Sequence, residues 1–599
     1  MNKEKLVEQY LNAASSYRDL EKNEERIILI ISVFRLITFF GGVFLIWLGL
    51  TKSISAGFYL TFILVVLFLF LLKLFLNHSE KRMFLANMVT INNNEAKALM
   101  GDLTPFDPGN SYTDIKHDFS FDVDLFGPSS LFQYLNRTVS GYGRDILANW
   151  LAEPFSLSLT LKERQAAISE LAFKDKWRQE FIASGMKNRI EKKDIFSILR
   201  WIEESGFISS SMVSRILLIL MPAAAVIFLA LWITGAISYT LFAVIFLINL
   251  FHVAFGLKRT NDIHKVLSRK YDLLSSMNDL LKAFENEPFE SSVLKEIKRN
   301  ISGKDDSASV SVRKLGKLIQ AFDSRNNVMV AFVLNGLFLW DYQSIYRLEK
   351  WKSEYRKQFP MWLEMIGQVD AYISLGNYAF NNSEFSYPSI SEDGNVFFAK
   401  QLGHQLIDKS KRVCNDFSLG QKGNVCVISG ANMAGKSTFL RTVAINYILA
   451  MTGAPVCAAE MRFLPSKIFT SMRTVDSLSD NESYFYAELR RLSILKSRIE
   501  NGEPVFFILD EILKGTNSED KSTGSRLFLQ RIIEYKGTGL IATHDTSIGK
   551  LSSGNHAIIN KCFEIEIDGE TIKFDYKVQD GITQKMNAVF LMKQMGIID

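Results

Sequence analysis

The residues best suited to carry out chemistry lie at 430–438, where the chain reads GANMAGKST. This is the pattern G-x-x-x-x-G-K-[ST], whose glycines let backbone N–H groups turn inward around phosphate groups. An apolar run, 425–429, precedes the loop, and a helical stretch, 439–450, follows it. Helix N-termini favour bound anions. The pattern therefore predicts a nucleotide-binding site formed by Gly430, Ala431, Asn432, Met433, Ala434, Gly435, Lys436, Ser437 and Thr438.

Two side chains of this loop are expected to contact the phosphates and the metal ion directly. Lys436 is expected to meet the charge of the β- and γ-phosphates, and Ser437 to bind Mg²⁺. A second apolar run, 505–509, ends in Asp510 and Glu511. Carboxylates at the end of a buried strand are costly unless they have a function. We therefore predict that Asp510 holds Mg²⁺ together with Ser437, and that Glu511 polarises the attacking water.

A third apolar run, 539–542, is followed by Thr543 and His544. Ligands of parallel sheets bind at the carboxyl ends of the strands. A single histidine is more often structural, but this one follows two runs that already end in suitable residues. His544 is therefore predicted to sense the γ-phosphate. Together the three runs predict an ATP hydrolase that uses ATP and Mg²⁺.

The composition bounds the architecture around this site. The chain has 599 residues, enough for three or four structural units. Hydrophobic residues make up 48% of it, which favours a mixture of membrane and cytosolic parts. The four cysteines have no disulfide or zinc spacing. A net charge of +5 neither requires nor excludes nucleic acid.

Four apolar segments form two pairs with short links, 27–50 with 57–76 and 216–233 with 237–257. Spans of about 20 residues match the ~30 Å hydrocarbon thickness of a bilayer. Arg35 interrupts the first segment. The pattern predicts four transmembrane helices, and buried core hairpins are the alternative.

The charges beside these segments predict their orientation. All large segments fall on one side of the two hairpins, and that side carries Lys73, Lys81, Arg82, Arg215, Lys258 and Arg259. The opposite loops carry only Lys52. The positive-inside rule then places both termini and the ATPase in the cytoplasm, with a bacterial-type inner membrane as the expected location.

The predicted fold class is multi-domain, with helical membrane hairpins, a helical core or lever, and a C-terminal α/β P-loop ATPase domain of the ABC type. The predicted units are an N-terminal segment with the first hairpin (1–78), a linker with the start of the core (79–214), the second hairpin (215–258), the helical core or lever (259–385) and the ATPase domain (386–599).

Four motifs in this order resemble those of the MutS family. The loop at 430–438 resembles G-P-N-M-G-G-K-S-T, and the run at 510–518 resembles D-E-I-G-R-G-T-S-T. The residues at 542–544 match A-T-H, and those at 483–489 resemble S-T-F-x-x-E-M. The chain is therefore identified as similar to MutS ATPases.

The resemblance is strong over 365–599 and weak over 125–205, where it resembles the opening of the family's helical core. Ala431 and Ala434 are mild departures from the family loop. In relatives the serine of the motif that matches 483–489 reaches the γ-phosphate held by the other subunit. The resemblance thus implies a homodimer in which Ser483 contacts nucleotide in trans.

The implied function is a membrane-anchored ATPase that couples ATP binding and hydrolysis to closing on DNA. The region before the helical core has no F-x-E wedge, so mismatch recognition is not expected. DNA phosphates would meet basic residues such as Lys295, Lys298, Arg299, Arg313 and Lys317.

Two alternatives use the same ATPase chemistry. One is an ATP-driven scaffold that remodels a protein partner at the membrane. The other is an ABC-type transporter, which would carry L-S-G-G-Q between the phosphate loop and Asp510, where this chain has none.

Overall fold

The structure is a computed structural model. It describes residues 3–52, 55–156, 159–188, 190–209, 211–268, 270–303, 306–473, 484–568, 571–583 and 598. Most of these residues are helical, and the strands all lie in the C-terminal part. The prediction of helical regions followed by a C-terminal α/β unit is confirmed.

Sixteen helices precede the first strand in the part of the chain that the structure describes. They are α1 (Lys3–Lys52), α2 (Ser55–Leu99), α3 (Leu131–Leu135), α4 (Gly141–Ala152), α5 (Leu161–Phe173), α6 (Asp175–Gly185), α7 (Lys192–Glu203), α8 (Met212–Ile233), α9 (Tyr239–Phe255), α10 (Leu257–Leu267), α11 (Tyr271–Asn286), α12 (Ser292–Ser302), α13 (Ala308–Asp323), α14 (Val328–Phe338), α15 (Trp340–Tyr355) and α16 (Gln358–Asn381).

The C-terminal part alternates strands and helices. Its strands are β1 (Ser389–Ile390), β2 (Phe397–Leu402), β3 (Asn415–Leu419), β4 (Val425–Gly430), β5 (Glu460–Phe463), β6 (Lys467–Ser471), β7 (Val505–Asp510), β8 (Thr538–Thr543), β9 (Ile558–Asp568) and β10 (Thr571–Asp580). Its helices are α17 (Lys436–Thr452), α18 (Tyr484–Glu500), α19 (Ser518–Glu534) and α20 (Thr546–Gly549).

The larger sheet positions the predicted site. Its described strands follow the order β10-β9-β4-β8-β7-β6, and a second sheet follows the order β1-β5-β2-β3. In the larger sheet β9, β4, β8, β7 and β6 are parallel, and β10 is antiparallel to β9. The carboxyl ends of β4, β7 and β8 therefore meet at one edge.

Strand β4 is apolar apart from Ser429, as expected for a strand of a sheet that is covered on both faces. Cys426 and Ile428 belong to the core that includes α17. Val425 and Val427 belong to a second core, with residues of α18 and α19. The sheet is thus buried between two helical layers, and polar side chains are left to the strand ends.

Helix α16 packs on α4 and α5 and joins the helical region to the C-terminal α/β unit. The buried Asp370 of α16 accepts hydrogen bonds from Val139 N at 3.1 Å and Ser140 N at 2.9 Å, just before α4. Arg164 of α5 donates to the carbonyl oxygen of Thr452, at the end of α17, at 3.2 Å. These contacts lie in one continuous core that links the two regions.

The apolar helices expose their hydrophobic side chains. Among the residues that the structure describes, three helices are long and apolar enough to cross a membrane, namely Lys3–Thr51, Tyr59–Leu99 and Met212–Ile233. Two bent pairs also pass this test if each pair is taken as one span, namely Tyr239–Phe255 with Leu257–Leu267 at 65° and Val328–Phe338 with Trp340–Tyr355 at 79°. The four predicted spans fall largely in α1, α2, α8 and α9, and their crossing of a membrane stays a prediction.

Helices α1 and α2 form a long antiparallel hairpin whose polar end packs on the helical core. Tyr10 donates a hydrogen bond to Asn381 of α16 at 2.8 Å. Within the apolar part, the Arg35 guanidinium lies 4.5 Å from the ring centroid of Phe75 and 5.6 Å from that of Phe68. Arg35 therefore faces α2, where aromatic rings stabilise its charge.

Candidate functional site

Three neighbouring strands end at the cleft. The loop after β4 leads into α17, β7 ends at Asp510, and β8 ends one residue before His544. Lys436, Asp510, Glu511 and His544 all line one cleft of about 560 Å³. The structure thus brings together the side chains that the sequence predicted to act together.

The loop between β4 and α17 has a backbone that few side chains tolerate. Gly435 has φ +105°. A Cβ atom at Gly435 would lie 3.1 Å from the ring of Tyr576. Met433 also has a positive φ, of 65°, and its side chain is exposed. Positive φ in a residue other than glycine is uncommon and concentrates at functional sites.

Lys436 is nearly buried at the base of the loop. Its Nζ donates to the carbonyl oxygens of Gly430 at 2.8 Å and Ala431 at 2.9 Å. Burial lowers the pKa of Lys436 to about 8, against the opposing effect of Asp510 and Glu511. The ammonium group is therefore held in place and poorly hydrated, which strengthens its attraction to an anion.

Ser437 and Asp510 form the predicted magnesium pair. Ser437 Oγ donates to Asp510 Oδ2 at 2.5 Å. No group of three or more His, Cys, Asp or Glu side chains suited to a metal occurs among the described residues. Mg²⁺ bound with a nucleotide commonly uses one or two protein oxygens and phosphate oxygens. A hydroxyl and a carboxylate in contact at the cleft fit that requirement.

Glu511 is paired with a residue that the sequence reasoning missed. Lys521 Nζ donates to Glu511 Oε1 at 2.5 Å, and His544 Nε2 lies 4.0 Å from Glu511 Oε2. Burial would raise the pKa of Glu511, but the Lys521 hydrogen bond and charge outweigh it, so the pKa is lowered. Burial and the Lys436 cation lower the pKa of His544. The carboxylate is thus ionised and the imidazole neutral at neutral pH.

The loop after β7 is strained, and one buried carboxylate holds it. Glu511 and Leu513 have φ of 57° and 60°. Glu488 of α18 accepts hydrogen bonds from Leu513 N at 2.6 Å and Lys514 N at 3.1 Å. Burial raises the pKa of Glu488, and the two backbone donors oppose that rise. Glu488 therefore positions the backbone that carries Glu511.

The cleft also has an apolar part of its lining. It is lined by Leu402, Ile407, Val413, Phe563 and Tyr576. Sequence reasoning missed Tyr576, which lies where the pairing of β9 and β10 shifts register and has φ 55°. Asn415 holds this bulge, since it donates to Tyr576 O at 3.0 Å and accepts from Val578 N at 2.9 Å.

The remaining predicted residues divide into three groups. Asn432, Met433, Gly435 and Thr438 line the cleft. Gly430, Ala431 and Ala434 form the backbone behind it, with Ala431 and Ala434 buried. Ser483 lies outside the described residues, and its contact in trans stays a prediction.

The basic residues predicted for DNA lie on α12 and α13, and none of them lines the cleft. Lys295, Arg299, Arg313 and Lys317 are exposed. Lys298 is half-buried and donates to the carbonyl oxygen of Glu287 at 2.7 Å. The first four are therefore available to solvent, and Lys298 has a structural partner.

Comparison with known proteins agrees with this architecture. Two family models match, MutS domain III over residues 118–376 and MutS domain V over residues 426–597. The chain belongs to the MutS family. The two matched regions correspond to the helical region and to the sheet unit that holds the cleft.

Individual relatives match over a limited length. The chain is 28% identical over 253 residues to the DNA mismatch repair protein MutS of Thermotoga maritima, covering 41% of this chain and 31% of the relative. It is 31% identical over 238 residues to the protein of the same name from Persephonella marina, covering 39% of this chain and 27% of the relative. The alignments thus span less than a third of these relatives.

Proposed function

We propose that this protein is a membrane-anchored MutS-family ATPase that couples ATP binding and hydrolysis to closing on DNA. The observation that supports it most is the single cleft at the ends of β4, β7 and β8. That cleft combines a buried cation, a hydroxyl–carboxylate pair and a second carboxylate beside a neutral histidine.

The charged part of the lining suits a triphosphate. Lys436 is oriented by two carbonyl oxygens and is poised to bind phosphate oxygens. Ser437 and Asp510 would hold Mg²⁺, which would neutralise phosphate charge. The apolar part of the lining, with Tyr576 and Val413, would accept the base.

Glu511 is the group best placed to activate water. Its carboxylate is ionised and lies beside His544. Glu488 holds the backbone that follows Glu511 by accepting a hydrogen bond from Leu513 N. Glu511 would accept a hydrogen bond from the attacking water and orient it. His544 would donate a hydrogen bond toward the transferred phosphoryl group, because its neutral ring carries one N–H.

Paired ATPase units are part of the proposal, with Ser483 reaching the nucleotide of the partner subunit. Mixing Ser483→Ala protein with Lys436→Ala protein tests this. In a shared site, mixed dimers have one site with both defects and one with neither, so some activity returns above that of either variant. A site completed within one subunit predicts only the sum of the two separate activities.

DNA is the proposed partner because the matched relatives carry the name DNA mismatch repair protein. Lys295, Arg299 and Lys317 are exposed on α12 and α13 and can meet phosphates. Binding of the full chain in nanodiscs to duplex, mismatched and branched DNA should weaken with salt. Each phosphate contact contributes about −0.9 to the log–log slope.

The matched variants sharpen this test. Replacing Lys295, Arg299 and Lys317 with Ala should flatten the slope by about three. Replacing the exposed Lys422, Arg526 and Lys550 of the ATPase unit should leave it unchanged. Absence of salt-dependent binding to every DNA would remove DNA from the proposal and favour a protein partner remodelled at the membrane.

Membrane anchoring rests on the exposed apolar surfaces of α1, α2, α8 and α9. Four crossings would leave the ATPase unit and both termini on one side, which is the cytoplasm by the charge bias. A bacterial-type inner membrane is the proposed location. Partition of the purified chain into water without detergent would contradict the anchoring.

A further inference from the structure

Outside the cleft, the feature that supports a further inference is the exposed apolar surface of helix α14. The sequence did not predict a membrane span there. All residues of α14 except Asn335 are apolar or glycine, and none is charged. Its outward side chains include Val328, 80% exposed, and Met329, 75% exposed. A soluble protein rarely exposes so continuous an apolar surface.

One face of α14 is packed on the second apolar hairpin. The rings of Phe332 and Phe246 lie 5.3 Å apart. A Cβ atom at Gly336 would lie 2.1 Å from the Phe246 ring, so glycine permits this close approach. Asn249 of α9 donates from a buried position to Gly336 O at 2.8 Å. The α14 surface therefore continues the exposed apolar surface of α8 and α9.

The N-terminal backbone groups of α14 have partners suited to an apolar surrounding. The Asn327 side chain accepts hydrogen bonds from Met329 N at 3.1 Å and Val330 N at 3.2 Å. In hydrocarbon each unsatisfied backbone group costs several kcal/mol. The cap thus removes part of the cost of placing this helix end in lipid.

The two flanks of α14 are tied together at a polar base. Arg325 pairs with Asp341 at 3.1 Å, and Trp340 Nε1 donates to Ser324 Oγ at 2.9 Å. Leu339, with φ 51°, turns the chain by 79° between α14 and α15. The chain therefore leaves and re-enters the helical core at nearly the same place.

Helix α15 belongs to the cytosolic core, so α14 and α15 do not form one membrane span. The buried Glu349 accepts from Ile208 N at 3.0 Å and Ser209 N at 2.7 Å, just before α8. The buried Lys352 donates to the carbonyl oxygen of Trp201 at 3.1 Å. These charged groups are satisfied by protein, and lipid would offer them no partner.

The length of α14 then decides how it meets the bilayer. Eleven residues at ~1.5 Å each span about 16 Å, roughly half of the hydrocarbon thickness. We propose that α14 is a re-entrant helix that inserts beside α8 and α9 into the leaflet nearest the ATPase, with lipid acyl chains covering its outer face. This inference rests on the proposed membrane anchoring.

The same contacts give α14 a mechanical role. Tyr342 of α15 donates to His252 O at 3.0 Å, and Gln343 donates to Leu218 O at 2.7 Å. Helix α15 is thus bonded to both helices of the hairpin and is continuous with α14. Movement of the helical core during the ATP cycle would be transmitted to the bilayer through this three-helix unit.

Spin-label accessibility on the full chain in lipid nanodiscs tests the insertion. Single labels are placed at Met329→Cys in α14, Ile219→Cys in α8 and Leu527→Cys in α19, with the partly exposed Cys414 replaced by Ser and the buried cysteines left. The reagents are oxygen, which concentrates in lipid, and a water-soluble nickel chelate. We expect the label at Met329 to match Ile219, with high oxygen and low nickel accessibility, and Leu527 to show the reverse.

The possible outcomes separate the two proposals. A nickel-accessible Met329 label beside an oxygen-accessible Ile219 label would overturn the insertion and leave the anchoring intact. Low accessibility of Met329 to both reagents would mean that protein covers it, and would also overturn the insertion. A nickel-accessible Ile219 label would overturn the anchoring and, with it, the insertion.

A second variant tests the packing that holds α14 in place. Gly336→Leu, added to Met329→Cys, places a side chain where the Phe246 ring lies. We expect the Met329 label to become more mobile and its nickel accessibility to rise, while the Ile219 label stays unchanged. If the mobility and the nickel accessibility of the Met329 label do not change, packing against α9 is not what holds α14 in place.

Discussion

Strand β4 and helix α8 are both built mainly from apolar residues, yet their side chains lie in opposite surroundings. Every residue of β4 is buried between α17 on one face and α18 and α19 on the other. In α8 only Leu218 and Ala225 are buried, and Ile219 is 71% exposed. The length of an apolar segment, six residues against 22, separates these cases better than its composition does.

The same contrast extends to the charged groups. Around the cleft and the helical core, buried charges have protein partners, as Glu488 and Asp370 have with backbone N–H groups. In the first apolar hairpin, Arg35 instead lies over the rings of Phe68 and Phe75. The cleft and the helical core therefore give these buried charges protein partners, and the apolar helices leave their outer surface to the surrounding medium.

The largest expected effect compares one apolar residue from each region. Ile428→Ala removes side-chain volume from a closed core, which costs about 2–5 kcal/mol of stability. Ile219→Ala removes the same volume from an exposed surface, where lipid would fill the space if the proposed anchoring holds. We expect thermal unfolding in nanodiscs, followed by fluorescence, to shift down strongly for Ile428→Ala and little for Ile219→Ala. Equal shifts would place Ile219 in a protein core.

The next largest effect is expected at Glu488, whose carboxylate accepts hydrogen bonds from the backbone that follows Glu511. Glu488→Ala leaves Leu513 N and Lys514 N without their acceptor, a loss of about 1–3 kcal/mol that acts on the strained loop. We expect kcat to fall about tenfold to a hundredfold, with ATP affinity nearly unchanged. Glu500→Ala, on the same helix, is the control. A fall in ATP affinity with unchanged kcat would contradict a positioning role for Glu488.

The smallest effect is on pH dependence. Lys521 holds the pKa of Glu511 below its ordinary value, against the effect of burial. In Lys521→Met burial is less opposed, so the pKa of Glu511 rises and the acidic limb of the kcat profile moves to higher pH. Arg526→Met on the same helix should leave the profile in place. A limb that does not move would show that Glu511 is not the titrating base.

The cleft was predictable because its signals are local. The glycine spacing of the loop and the apolar runs ending at Asp510 and Thr543 each specify a strand end, and a parallel sheet brings such ends together. The partners of these residues were not predictable. Lys521 reaches Glu511 from a helix ten positions later, and Tyr576 enters through a bulge between two strands.

Prediction of the apolar helices was limited in the same way, because some contacts between them are not visible in the sequence. Charge-free runs of about 20 residues were recognisable in α8 and α9, whereas the 11 residues of α14 are as short as a core helix. Only the contacts with Phe246 and Asn249 place it beside the hairpin. Likewise the fourth predicted span, 237–257, passes Gly256, where the helix bends by 65° before α10.

ATP retention and turnover by the full chain in nanodiscs test the central assignment most directly. Glu511→Gln should bind ATP as the parent protein does and fail to release phosphate, because the loop and Lys436 are intact and the base is lost. Lys436→Ala should fail to retain ATP. Steady-state hydrolysis by Glu511→Gln at the parent rate, or ATP retention by Lys436→Ala at the parent affinity, would contradict the assignment of this cleft.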